Sequence, residues 1–261
     1  MRRDLAPRVL LLALALTLTA CGSTARRADD GAPRSAASRE NAAETNVQLG
    51  QGYLAQGKLE LAMEKLKRAI DLDPKSTSAH TVIAVLYERI GDPERARGHY
   101  RRATELSPDS GDVLNNYGTF LCREGDYDGA EAMFSKALDD PFYKTPSVAY
   151  ANRGACALGA NRLDAAEENL RRAVQLDPNM PDALFSLAQV SYAKGDYLRA
   201  RAFVQRYEAT PGSGADGLRL GYEIEKKLGN VRAANEYRAR LKEKYPDSEA
   251  ASRLDDAEAS R

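Results

Sequence analysis

The chain has 261 residues, with 38 Lys and Arg balanced by 38 Asp and Glu, so its formal charge near neutral pH is zero. No basic stripe runs along it that could follow a phosphate backbone, which argues against a nucleic-acid partner. Thirteen Tyr, five Phe, no Trp and few β-branched runs are the composition of an all-helical chain.

At the N-terminus, Arg2, Arg3 and Arg8 precede an apolar run from Val9 to Ala20, and Leu18-Thr19-Ala20 leads directly into Cys21. The run is shorter than the roughly 20 apolar residues a spanning helix needs, and it has the layout of a secretory signal. The cysteine placed straight after small residues makes the segment resemble the lipobox of bacterial lipoproteins. That resemblance implies removal of residues 1–20, a thioether-linked diacylglycerol on Cys21 and acylation of the new amino terminus. Several acyl chains on one residue exceed what stable anchoring requires. Gly22 and Ser23 follow, with no Asp at the second position, which by similarity to the enterobacterial sorting rule implies the outer membrane, facing the periplasm. Cleavage would leave 35 basic against 37 acidic residues. Residues 21–42 are rich in Ala, Ser, Arg, Gly and Asp without apolar periodicity. They read as a lipidated N-terminus and flexible tether with an end-to-end distance of roughly 25 Å.

From residue 43 a repeat begins. Pro74 and Pro108 lie 34 residues apart, and Pro178 follows after 70. A period of 34 with helix-turn-helix content is the tetratricopeptide signature. Leu49-Gly50, Tyr53, Ala62, Leu66 and Ala69 form the first unit, and Ile83-Ala84, Tyr87, Ala96, Tyr100 and Ala103 the second. Tyr117-Gly118, Leu121, Ala130, Phe134 and Ala137 form the third, which is lengthened by two residues. Gly154, Ala166, Leu170 and Ala173 form the fourth, where Arg153 replaces the usual apolar residue. Leu187-Ala188, Ala200 and Val204 form the fifth, and Gly229, Ala234 and Pro246 mark a sixth with a degenerate first helix.

Small residues at the eighth and twentieth positions let two helices approach, and large apolar residues fill the groove between them. Gly57, Gly91, Gly125, Gly159, Gly195 and Gly229 are expected to mark the turns. The expected fold is therefore all-α: a right-handed tetratricopeptide superhelix of about six units over 43–246, with 247–261 as a C-terminal cap and tail.

First helices line the concave face of such an array. In register, the inward positions include Val47, Leu54, Val85, Asn115, Thr119, Ala151, Leu158 and Phe185, the candidate partner-binding residues, with Gln51, Thr81, Ala155, Gln189 and Tyr192 beside them. Such a lining suits an amphipathic helix or an extended apolar peptide; the same positions also serve packing between repeats.

Catalytic and cofactor chemistry has no foothold. Gly212-Ser213-Gly214-Ala215-Asp216-Gly217 matches a dinucleotide fingerprint by letter, but it lacks the βαβ context and reads as a loop. His80 and His99 have no metal-ligand spacing, and Glu131, Glu167 and Glu168 read as solvated faces. No enzyme activity, metal, cofactor or small-molecule substrate is expected. With Cys21 committed to lipid, Cys122 and Cys156 are the remaining cysteines. They sit at the twelfth and tenth positions of adjacent first helices, where they either form a disulfide or remain two buried thiols.

Leu114-Asn115-Asn116-Tyr117-Gly118-Thr119-Phe120-Leu121-Cys122, then Gly125-Asp126-Tyr127 and Ala130, Pro141-Phe142-Tyr143, and Ala151-Asn152-Arg153-Gly154 resemble the PilF/PilW family of tetratricopeptide lipoproteins of type IV pilus biogenesis. The resemblance implies a pilotin that binds the outer-membrane secretin of the pilus machine and promotes its localisation and multimer assembly. A periplasmic scaffold lipoprotein organising cell-wall or outer-membrane assembly enzymes would share the anchor and the repeats. An enzyme would need a catalytic module, and helical repeats occupy residues 43–246.

Overall fold

A computed structural model describes residues 35–259, which form thirteen helices and no strand. Six antiparallel hairpins follow in chain order. They are α1 (Ala36–Ala55) with α2 (Leu59–Leu72), α3 (Thr77–Arg89) with α4 (Pro93–Leu106), and α5 (Gly111–Arg123) with α6 (Tyr127–Leu138). Then come α7 (Pro146–Gly159) with α8 (Leu163–Leu176), α9 (Pro181–Ala193) with α10 (Tyr197–Glu208), and α11 (Ala215–Lys227) with α12 (Val231–Lys244). A single helix, α13 (Glu249–Ala259), packs on α11 and α12 and buries Ala250, Ala251 and Leu254.

Each second helix carries a narrow apolar stripe that the periodicity dictates, such as Ala62, Leu66 and Ala69 on α2 or Ala166, Leu170 and Ala173 on α8, all fully buried. Asp92, Asp126, Asp196 and Asn230 cap second helices by accepting the backbone N–H three residues on. Within a hairpin the approach is close. A Cβ on Gly154 would stand 2.6 Å from Leu170 Cγ, so only glycine lets α7 and α8 pack at this separation. The core accordingly divides into three clusters strung along the array, as expected where each repeat touches only its neighbours.

Three local expectations are corrected. The array begins at Ala36, inside the segment read as tether: Ser35 Oγ accepts from Ser38 N at 3.0 Å, and Ala36, Ala37, Glu40 and Ala42 are strong helix formers. This part of α1 is mostly exposed, with burial starting at Ala43, so it carries no apolar pattern to read. Gly159 does not make the fourth turn. Asn161, two residues on, takes the left-handed conformation there (φ 57°), as glycine does at the other five turns. The sixth unit is a complete hairpin. A Cβ on Gly221 would lie 2.4 Å from the Tyr237 ring, and Tyr237 fills the groove one position early, which disguised the repeat. Cys21, the signal segment 1–20 and the tether up to residue 34 lie outside the described residues.

Candidate functional site

The helices α1, α3, α5, α7, α9 and α11 line the inner face, and the candidate residues divide into two groups there. Val47, Leu54, Asn115 and Ala151 are buried and belong to the packing between repeats. Val47 and Leu54 join the first core cluster and Ala151 the third. Leu54 also lends its carbonyl to Arg89 of α3 at 2.6 Å. Asn115 Oδ1 accepts from Asn152 Nδ2 at 3.0 Å, which ties α5 to α7. The other four, Val85, Thr119, Leu158 and Phe185, are half-buried. Their inner atoms rest on the core while the remaining surface faces out. Thr119 Oγ1 donates to Asn115 O at 2.9 Å within its own helix, so the hydroxyl needs no further donor partner.

At the C-terminal end the lining turns aromatic and charged. Phe185 tilts against Tyr207 with ring centroids 5.2 Å apart, and Tyr192 meets Tyr197 edge-on at 5.5 Å. Burial pushes the Tyr192 phenol up, and Glu223 adds to the shift while Arg219 opposes it. Arg219 occupies the register position held by Val47, Asn115, Ala151 and Phe185 in earlier units. Its Nε is buried without a hydrogen-bond partner, 3.9 Å from Asp216 Oδ1. The weak repeat pattern of unit six hid this residue from sequence reasoning.

The outer face carries a cleft of about 850 Å³ between α6, α7 and α8, lined by Tyr127, Tyr150, Arg153, Arg162, Glu168 and Arg172 among others. Two carboxylates read as solvated are in fact engaged around it. Both Glu131 carboxylate oxygens accept from one edge of the Arg153 guanidinium, Oε2 from Nε at 3.0 Å and Oε1 from Nη2, which accounts for a charged residue at that apolar position. Glu167 is buried and accepts from Lys194 at 2.5 Å and Arg199 at 3.0 Å, with Arg171 at 2.5 Å. The Lys194 hydrogen bond holds its carboxyl below the usual range, the nearby guanidinium charges adding to it against burial. Glu168 is exposed. Further along, Glu225, whose side chain is 5% exposed, receives two 2.6 Å hydrogen bonds from Arg201.

His80 and His99, 19 residues apart in sequence, meet with their Nδ1 atoms 2.9 Å apart. His80 Nε2 lies 3.2 Å from the Pro74 carbonyl, which can only accept, so Nε2 carries the proton and Nδ1 accepts from His99. Burial drives both imidazoles toward the neutral form, His99 down to about 4, with the neighbouring His80 lowering it further. Among the described residues no group of three or more His, Cys, Asp or Glu could hold a metal ion, and no helix is long and apolar enough to cross a membrane. Gly212 and Gly214 lie in the loop between α10 and α11, where Gly212 O accepts from Tyr207 Oη and Gly214 N donates to it. A disulfide joins Cys122 of α5 to Cys156 of α7, with Cα atoms 5.7 Å apart.

The tetratricopeptide repeat family model matches residues 47–111, 81–145, 121–181 and 152–214. Over 239 residues the chain is 30% identical to the type IV pilus assembly protein PilF of Pseudomonas aeruginosa, covering 92% of this chain and 94% of that protein. The crystal structure of PilW, a widely conserved type IV pilus biogenesis factor, superimposes with a TM-score of 0.77 at 33% identity, covering 81% of this chain and 97% of PilW. The structure of Pseudomonas aeruginosa PilF gives a TM-score of 0.73 at 30% identity, covering 84% of this chain and 99% of the other. Sequence and fold therefore agree over most of both chains, and the chain belongs to the PilF/PilW family of tetratricopeptide-repeat proteins of type IV pilus biogenesis.

Proposed function

We propose that this protein is an outer-membrane lipoprotein, anchored through Cys21 and facing the periplasm, that acts as a pilotin for the pilus secretin. In this reading the lipid supplies the address. The inner face then holds a segment of the secretin subunit and promotes its delivery and multimer assembly. The observation that carries the reading is the near full-length relationship to PilF. The arrangement of the inner face supports it. Val85, Thr119, Leu158 and Phe185 stand half-exposed on a frame of paired helices. Fully covering an apolar side chain is worth about 1.5–3 kcal/mol, so a few such contacts can select an apolar segment without chemistry, after the ordering costs of association are met.

The test is made in the producing cell. Cys21→Ser should no longer incorporate labelled palmitate and should leave the outer-membrane fraction. Detergent-resistant secretin multimers should fall with it. Normal multimer levels in a strain lacking the protein altogether would overturn the proposal.

A further inference from the structure

Repeat three departs from the 34-residue period by two residues, and the connection that holds them, between α6 and α7, is built tightly around an outward-facing aromatic ring. Phe142 is 85% exposed, the most exposed large apolar side chain among the described residues. Its backbone is nevertheless pinned. Asp140 Oδ1 accepts from Phe142 N at 2.9 Å, and Asp140 Oδ2 accepts from Gly111 N at 3.2 Å, at the start of α5. Tyr143 N donates to Asp140 O at 3.2 Å. The Tyr143 ring lies so close over Gly111 that a Cβ there would stand 2.6 Å from Tyr143 Cγ. Thr145 and Pro146 then open α7. One carboxylate, one seated ring and one obligatory glycine thus fix the loop while leaving the Phe142 phenyl in water. Loops shaped only for connection place small or polar residues at such a tip.

The surroundings are acid-rich. Asp109, Asp112 and Asp139 are exposed around the loop, against the cations Lys136, paired with Asp109 at 3.4 Å, and Lys144. A surplus of carboxylates disfavours an anionic lipid surface and favours a protein socket with basic side chains at its edge.

We propose that Phe142 is a preorganised anchor that inserts into an apolar, basic-rimmed socket on the partner protein bound by the inner face, a contact separate from the groove. It rests on the reading of the partner as the pilus secretin. Because the loop is already ordered, docking the ring loses little conformational entropy, which is the character of a binding hot spot.

The experiment measures binding of the purified periplasmic region of the secretin subunit to the full mature chain by biolayer interferometry, beside thermal unfolding. Phe142→Ser should weaken binding about 30-fold with an unchanged melting temperature, Phe142→Leu should keep most of the affinity, and Asp112→Asn with Asp139→Asn should slow association at low salt. Wild-type binding that Phe142→Ser leaves intact overturns the anchor and leaves the pilotin reading standing. A wild type that does not bind overturns both. A lowered melting temperature in Phe142→Ser would make the residue structural and overturn the anchor. So would a Phe142-dependent association with phosphatidylethanolamine–phosphatidylglycerol vesicles while secretin binding is untouched.

Discussion

Reducing the Cys122–Cys156 bridge should loosen the joint between repeats three and four. Beside the apolar packing of Cys156 with the repeat-three core, four covalent or polar contacts cross that joint: the disulfide, Asn152 to Asn115 at 3.0 Å, Arg153 to Glu131, and Arg162 to Asp128 at 2.7 Å. The two polar pairs with exposed partners add little, so the covalent link dominates. It closes a loop with a sequence separation of 34, and the chain-entropy relation gives about 3–4 kcal/mol of stabilisation at 25 °C for a loop of that length. For a chain of this size, 1 kcal/mol moves the melting temperature by about 2–4 °C. Oxidised protein should therefore melt about 6–16 °C above the same protein reduced with dithiothreitol. Reduced wild type keeps both sulfur atoms in place, so the comparison removes the cross-link and not the packing of the half-buried Cys122 and buried Cys156. Cys122→Ala with Cys156→Ala should fall slightly below the reduced protein, because two sulfur-sized volumes are also lost. Two alkylatable thiols in oxidised protein, or a shift below about 2 °C on reduction, would show that the bridge does not hold this joint.

The histidine pair predicts a pH response. Both imidazoles titrate below the ordinary 6.5 when folded, His99 near 4, so the unfolded chain binds more protons and stability falls as pH drops from about 6.5 toward 4. The groups facing the pair are Asp73 and Arg102 beside His80, with Tyr87 stacked on His99 and Arg95 over Tyr87. Allowing for partial exposure, about 1–2 kcal/mol should be lost. His99→Gln, which can still donate to His80, should flatten the fall between pH 7 and 5; an equal fall in the variant would contradict the assignment. The ion pairs should also separate by burial. Arg201→Ala strands the buried Glu225 and should cost about 3 kcal/mol, whereas Arg232→Ala, in the exposed pair with Glu236, should stay within about 0.5 kcal/mol. Equal losses in denaturant titrations of the two would show that burial is not the deciding quantity.

The hairpins were readable wherever close packing demands one residue type. Gly118 under Phe134 and Gly154 under Leu170 leave no alternative, so the period appears in the letters. The first turns of α1 were not readable, because their exposed positions allow any good helix former. Neither were the roles of Glu131 and Glu167: their partners Arg153, Lys194 and Arg199 come from the next unit, at spacings of 22, 27 and 32 residues that no local pattern marks. The inner face was half readable. Register identifies which positions point inward, but not how deeply neighbouring repeats bury them, and Val47, Leu54, Asn115 and Ala151 went to the joints while Val85, Thr119, Leu158 and Phe185 kept open surface. The His80–His99 contact had a signal after all. The fourth position of a first helix faces the twenty-third of its partner, a spacing of 19 that follows from the hairpin geometry and not from any metal motif.

If the inner face grips the secretin, charge placed on that face should break the complex, and charge placed on the outer side should not. Thr119→Glu and Leu158→Asp place charge on the half-exposed inner face, while Arg101→Glu reverses charge on the exposed side of α4. Measured against the purified secretin periplasmic region, with melting temperatures taken in parallel, the two inner variants should each lose about 30-fold in affinity. Arg101→Glu should remain within about twofold, because isolated surface charges away from a contact contribute little. Unchanged binding by both inner variants, or an equal loss from Arg101→Glu, would show that the secretin is held elsewhere.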